Sequence, residues 1–104
     1  MSHITTHVLD AALGRPAQGI DVSLYGAELI ASGVTDADGR IGDFGPDALP
    51  AGTYRVVFET GAYFGETPHF YPRVTIDFDL ADESSHYHVP LLLSPFAFST
   101  YRGS

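Results

Sequence analysis

Between His86 and Leu93 the chain alternates with a period of two. Tyr87, Val89, Leu91 and Leu93 fall on one face, and His86, His88, Pro90 and Leu92 on the other. The spacing predicts a strand that buries its apolar face and carries histidines outward. Ser94-Pro95 breaks the run, and a second alternation follows, with Phe96, Phe98 and Thr100 opposed to Ala97, Ser99 and Tyr101. Near the other end, residues 4 to 10 set Ile4, Thr6 and Val8 against Thr5, His7 and Leu9. The same reading predicts strands over 20–25, 29–35, 52–60 and 73–80, and a short one over 41–44 closed off by Gly45-Pro46 and Pro50. Residues 11–19 read as a loop, and 61–66 as one helical turn between Gly61 and Pro68. Asp36-Ala-Asp-Gly-Arg reads as a tight turn in which Gly39 supplies a positive φ.

About eight short strands with one helical turn predict an all-β fold, a two-sheet antiparallel β-sandwich. The strands differ in their outer faces. Arg73, Thr75, Asp77 and Asp79 suit water, whereas Leu9, Pro90, Leu92, Ala97 and Tyr101 are apolar groups on faces that cannot be the core. If 4–10, 86–93 and 97–101 share a sheet, His7, His88, Ser99 and Tyr101 look out from it together, onto a subunit interface.

Composition narrows the class. At 104 residues the chain is expected to be one domain over 1–104, with 44% hydrophobic residues to build a core and no cysteine. The net charge of −8, from 13 acidic residues against five arginines and no lysine, argues against a nucleic-acid partner, which needs a basic face. No stretch approaches the ~20 apolar residues of a membrane span, and the first twenty residues lack a basic start followed by an apolar run. A soluble, cytoplasmic protein with no membrane partner is the expectation.

The titratable groups allow several readings. His86 and His88, two apart on a strand, point the same way and could share a zinc ion. They could equally be solvated, or His88, beside Pro90 and Leu92, could titrate near neutral pH and move protons, leaving His86 without a special role. His7 alone on a short strand is more often structural than catalytic, and Asp10 is placed to cap the following loop. Arg40, closing the turn, reads as a solvated cation or as a fork for a planar anionic ligand. Arg102 is expected to anchor the tail on a carboxylate, with a substrate contact as the alternative. Arg15, Arg55 and Arg73 are expected at the surface, as are His3, at a mobile terminus, and His69. No Gly-x-Ser-x-Gly elbow supports Ser99 as a nucleophile. A polar ending such as Tyr101 to Ser104 frays unless something docks it.

Three blocks carry a resemblance: THVLD at 6–10, TDADGR at 35–40 and HYHVPLLLSPFAFSTYRGS at 86–104. Together they resemble the 5-hydroxyisourate hydrolases, purine-degrading relatives of transthyretin. The terminal YRGS is the most specific element, since hormone-carrying transthyretins do not share it. The resemblance implies a cofactor-independent hydrolase acting on a small molecule, 5-hydroxyisourate, and a homotetramer with sites at the subunit interface. It implies catalytic roles for His7, Arg40, His88 and Ser104, substrate contacts from His7, Arg40 and Tyr101, and no metal. Phe96 and Phe98 stand where relatives often carry tyrosine. A carrier of an aromatic hormone is the alternative from another class. It would want an apolar or lysine-bearing groove in place of these polar groups.

Overall fold

The computed structural model describes residues 2–104. The elements in order are β1 (Ile4–Asp10), β2 (Arg15–Pro16), β3 (Asp21–Tyr25), β4 (Leu29–Val34), β5 (Gly52–Phe58), α1 (Thr60–Phe64), β6 (Val74–Leu80), β7 (Tyr87–Ser94) and β8 (Ala97–Thr100). They form two four-stranded sheets, ordered β2-β1-β7-β8 and β4-β3-β5-β6. The β-sandwich expected from the alternation is present.

Every ladder is antiparallel except one. β1 and β7, from opposite ends of the chain, run parallel from Ile4 opposite Tyr87 to Asp10 opposite Leu93. A parallel pair needs a long crossover, and the whole of the other sheet supplies it.

The periodicity of each strand sets the core. Ile4, Val8, Leu91 and Leu93 from the first sheet meet Val22, Leu24, Val56 and Phe58 from the second, all fully buried. Each such side chain contributes about 1.5–3 kcal/mol through removal from water. No side-chain nitrogen or oxygen is buried without a partner among the described residues. Thr6, on the buried face of β1, satisfies its hydroxyl by donating to the Val89 carbonyl at 2.7 Å.

Four expectations need correction. Residues 41–44 do not form a strand: Phe44 is buried in an irregular segment, and its N–H donates to the Ser2 hydroxyl at 2.8 Å in place of a ladder partner. The strand missing there appears instead inside the expected loop, where Arg15 and Pro16 pair with Asp10 and Leu9. His3 is not mobile but only 6% exposed, its ring accepting from the Leu49 N–H at 2.9 Å and donating to the Ser85 carbonyl at 2.7 Å. His69 is half-buried, with its ring stacked on Phe64 at 5.6 Å between centroids. The partners of His3 lie far along the chain, whereas those of His69 are local, Nδ1 lying 2.7 Å from the Thr67 carbonyl.

Asp10 does cap the loop after β1, accepting from the Leu13 N–H at 2.9 Å. It also accepts a 2.6 Å bond from the Tyr63 hydroxyl, which ties α1 to β1.

Candidate active site

The outer face of the β1–β7 pair follows from register. In the parallel ladder Thr5 stands opposite His88, His7 opposite Pro90 and Leu9 opposite Leu92. His7 and His88 therefore lie diagonally across adjacent strands. With strands ~4.8 Å apart and a two-residue step of ~6.6 Å, their Cα atoms are separated by on the order of 8 Å, close enough for two rings to face one substrate.

Arg40 arrives from the 36–40 turn. The turn is built by Asp36, whose side chain accepts from the N–H groups of Asp38 (2.9 Å) and Arg40 (3.0 Å), while the Gly39 N–H donates to the Asp36 carbonyl at 2.9 Å. Gly39 has φ +75°, the positive value expected of it, and a Cβ there would strike the Val8 carbonyl and lie 3.3 Å from His7 Cδ2. Only glycine lets the turn lie this close to β1. The Val8 N–H donates to the Gly39 carbonyl at 2.8 Å, and Arg40 bridges His7 in antiparallel fashion. The turn also fixes the His7 ring, whose Nε2 lies 2.8 Å from the Asp38 carbonyl. A carbonyl only accepts, so Nε2 carries the proton and the lone pair of neutral His7 is on Nδ1.

The tail docks on the other edge of β7. β8 pairs with β7 from Leu91 opposite Thr100 to Ser94 opposite Ala97, and an isolated bridge then sets His88 opposite Gly103 in the same register. Pro90 explains the gap. The Gly103 N–H donates to the His88 carbonyl at 2.9 Å, so His88, and by parity Pro90, turn their backbone polar groups toward the tail. Pro90 has no N–H to offer Tyr101, and the ladder opens for two residues before it closes again. A Cβ on Gly103 would collide with His88 Cδ2 and lie 3.1 Å from Cγ.

The His88 ring is thus packed by the tail on one side. Its Nδ1 lies 2.8 Å from the Thr5 hydroxyl, which also lies 2.8 Å from His86 Nε2. Burial and the positive charges of Arg40, His7 and His86 hold His88 below the usual histidine range, in that order of importance. A neutral imidazole at neutral pH is the consequence.

The structure therefore brings His7, Arg40 and His88 to one place, with Ser104 following directly on the docked Gly103. Tyr101 is 61% exposed and borders a cavity of about 280 Å³ with His88, Arg102, Ile76 and Phe78. Arg102 stacks 4.4 Å over the Tyr87 ring, where a carboxylate partner was expected. Its charge nonetheless reaches Asp82, whose carboxyl is lowered mainly by the hydroxyl and N–H of Ser84. Arg55 and Arg73 are at the surface, paired with Asp77 and Glu59. Among the described residues no group of three His, Cys, Asp or Glu side chains converges on a point. His86 and His88, which the spacing offered as a possible zinc pair, both lie against the Thr5 hydroxyl.

Sequence reasoning missed Thr5 and the need for glycine at 103. Thr5 shares the outward parity of His7, but its partners lie more than eighty residues away, and only the β1–β7 pairing reveals them.

The HIUase/Transthyretin family model matches residues 4–103. A 5-hydroxyisourate hydrolase of Rhizobium meliloti is 47% identical, with 97% of this chain and 95% of that one covered. The mouse 5-hydroxyisourate hydrolase is 42% identical, with 99% and 96% covered. The structure of Klebsiella pneumoniae 5-hydroxyisourate hydrolase superposes with a TM-score of 0.88 at 44% identity, covering 97% and 98%. Sea bream transthyretin in complex with thyroxine superposes equally well, with a TM-score of 0.89 at 35% identity, covering 96% and 93%. The backbone alone does not separate hydrolase from carrier. On the match across nearly its whole length, the chain belongs to the HIUase/Transthyretin family.

Proposed function

We propose that the chain hydrolyses 5-hydroxyisourate to 2-oxo-4-hydroxy-4-carboxy-5-ureidoimidazoline, in the degradation of urate to allantoin. The observation that carries this is the convergence of His7, Arg40 and His88, each held by backbone contacts, on a face that a carrier would leave apolar. The relatives named as hydrolases at 42–47% identity support the same substrate.

Ring opening by water requires that the water lose a proton, that the tetrahedral oxyanion be stabilised and that the departing nitrogen gain a proton. His88 fits the first task. Burial and neighbouring cations keep it unprotonated, and its Nε2 is left for water once Nδ1 has turned to Thr5. Arg40 fits the second, since its guanidinium is held near enough to His88 to bias its protonation and carries the charge that an oxyanion needs. His7 and His88 share the third. Tyr101 and Ser104 close the pocket and contact substrate or water. No cofactor enters this scheme.

The same reading includes a cytoplasmic homotetramer. The half-buried apolar residues Leu9 and Leu92, on the outer face of β1 and β7, support burial against a second copy beside the site. Sedimentation of the purified protein at the mass of four chains is the expected result, and a monomer at micromolar concentration would remove the interface. Fractionation of cells carrying the protein should find it in the cytosol.

The decisive test is incubation with freshly generated 5-hydroxyisourate, following its ultraviolet absorbance. Decay faster than the spontaneous reaction is expected. A spontaneous rate, together with binding of thyroxine, would replace the hydrolase with a carrier.

A further inference from the structure

The Thr5 hydroxyl stands 2.8 Å from His88 Nδ1 and 2.8 Å from His86 Nε2. A hydroxyl has a single hydrogen to donate, so it cannot donate to both rings. At least one ring must therefore donate its N–H to the Thr5 oxygen, and the other ring either donates to that oxygen as well or accepts from the hydroxyl. The two rings are coupled through one oxygen.

That coupling matters because of the proton balance of the reaction proposed above. Amide hydrolysis that ends in a carboxylate and an uncharged urea nitrogen releases one proton per turnover at neutral pH. His88, which takes a proton from water in the scheme and carries a positive charge until the departing nitrogen accepts one, is half-buried and packed by Gly103, whereas His86 is exposed.

We propose that Thr5 and His86 form a relay that discharges the proton from His88 to solvent. Both are positioning residues that act through His88. Before attack, His88 carries its hydrogen on Nδ1 and donates it to Thr5, Thr5 donates to His86 Nε2, and the lone pair of His88 Nε2 faces water. When Nε2 takes a proton from water, the Nδ1 hydrogen passes to the Thr5 oxygen as the Thr5 hydrogen passes to His86 Nε2. One N–H and one O–H bond break, and one O–H and one N–H bond form. The positive charge moves from His88 to His86, which loses a proton from Nδ1 to bulk water. The three groups return when His88 gives its Nε2 hydrogen to the departing nitrogen, the hydrogens step back along the chain, and His86 Nδ1 regains a proton from water, so that the net proton released is that of the product carboxylic acid. The inference rests on the proposed hydrolase reading, but its physical core, the coupling of two rings through one hydroxyl, is measurable without turnover.

The test has two arms on the full-length protein. In the kinetic arm, Thr5→Val, which keeps the shape and removes the hydroxyl, should lower kcat about tenfold or more with KM little changed, and Thr5→Ser should restore it. His86→Ala should show a kcat that rises with added imidazole buffer, a dependence absent from the parent protein. In the second arm, 15N resonances of the histidine rings should show His88 Nδ1 and His86 Nε2 in complementary protonation states whose titrations move together. Thr5→Val should uncouple them. A Thr5→Val protein with parent kcat, or rings that titrate independently in the parent, overturns the relay. A parent protein with coupled rings but no hydrolysis of 5-hydroxyisourate overturns the function instead and removes the relay's role in it.

Discussion

Gly103 lies against the ring of His88: its N–H donates to the His88 carbonyl at 2.9 Å, and any Cβ at 103 would collide with His88 Cδ2. The docked tail and the candidate base are therefore one mechanical unit. Gly103→Ala should leave the fold intact, because Tyr101, Arg102 and Ser104 around it are exposed and contribute little core. The alanine must push either the ring or the tail away. A shift of about 1 Å in a reacting group costs on the order of 100-fold in rate, so kcat/KM should fall by about that factor while Tm changes by no more than a few degrees. A thermal melt beside the ultraviolet assay checks both, and full activity in the alanine variant would show that the tail does not position His88.

The titration of His88 gives a second prediction, with its sign fixed by the cause. Burial and the charges of Arg40, His7 and His86 lower its value below the ordinary 6.5. Between that lowered value and 6.5 the unfolded chain binds more protons than the folded one. His88 thus makes stability rise with pH through this window; its destabilising effect is absent above 6.5 and complete below the lowered value. Arg40→Gln removes one of the repelling charges, so the His88 ring should titrate closer to 6.5 in that variant. Ring chemical shifts followed from pH 4 to 8 report the midpoint. An unmoved midpoint would place Arg40 away from His88.

Tyr63 supplies a prediction at the alkaline end. Burial, the bond to Asp10 and the Asp10 charge push its hydroxyl up to about 12, from 10.0. The folded chain holds that proton between these values while the unfolded chain loses it, so the contribution is present below pH 10 and is lost as pH rises toward 12. Tyr63→Phe leaves an oxygen of Asp10, itself 3% exposed, without its partner. The cost should be about 1.5–3 kcal/mol at neutral pH, since the acceptor is a carboxylate. Urea unfolding of both proteins at pH 7 and pH 11 should show the difference shrinking at the higher pH.

His3 is the third stability test. Its ring bridges the Leu49 N–H and the Ser85 carbonyl across two loops, 6% exposed. His3→Phe fills a similar volume but orphans both backbone groups, and a loss of about 2–4 kcal/mol follows from two desolvated groups without partners. Denaturant midpoints measure it. Activity per folded molecule should be unchanged, because neither backbone group belongs to the β1–β7 outer face.

Much of this protein was legible before any coordinates. Period-two alternation fixed which face of β1, β5, β6 and β7 is buried, because side chains on a strand must alternate and the apolar ones must leave water. Gly39 announced its own turn, because the Asp36-Ala-Asp-Gly sequence permits few alternatives. His7, Arg40 and His88 came as candidates from three short blocks that resemble one family. What alternation does not carry is which strand lies beside which. The parallel pairing of residues 4–10 with 87–93 alone put Thr5 beside His88, converting His86 from an unremarkable neighbour into the far end of a hydrogen-bonded chain. The same long-range closure buried His3 and gave the Phe44 N–H a partner in the Ser2 hydroxyl in place of a ladder. Pairing is chosen by the packing of both sheets at once, and that choice is a property of the whole chain, absent from any local stretch of it.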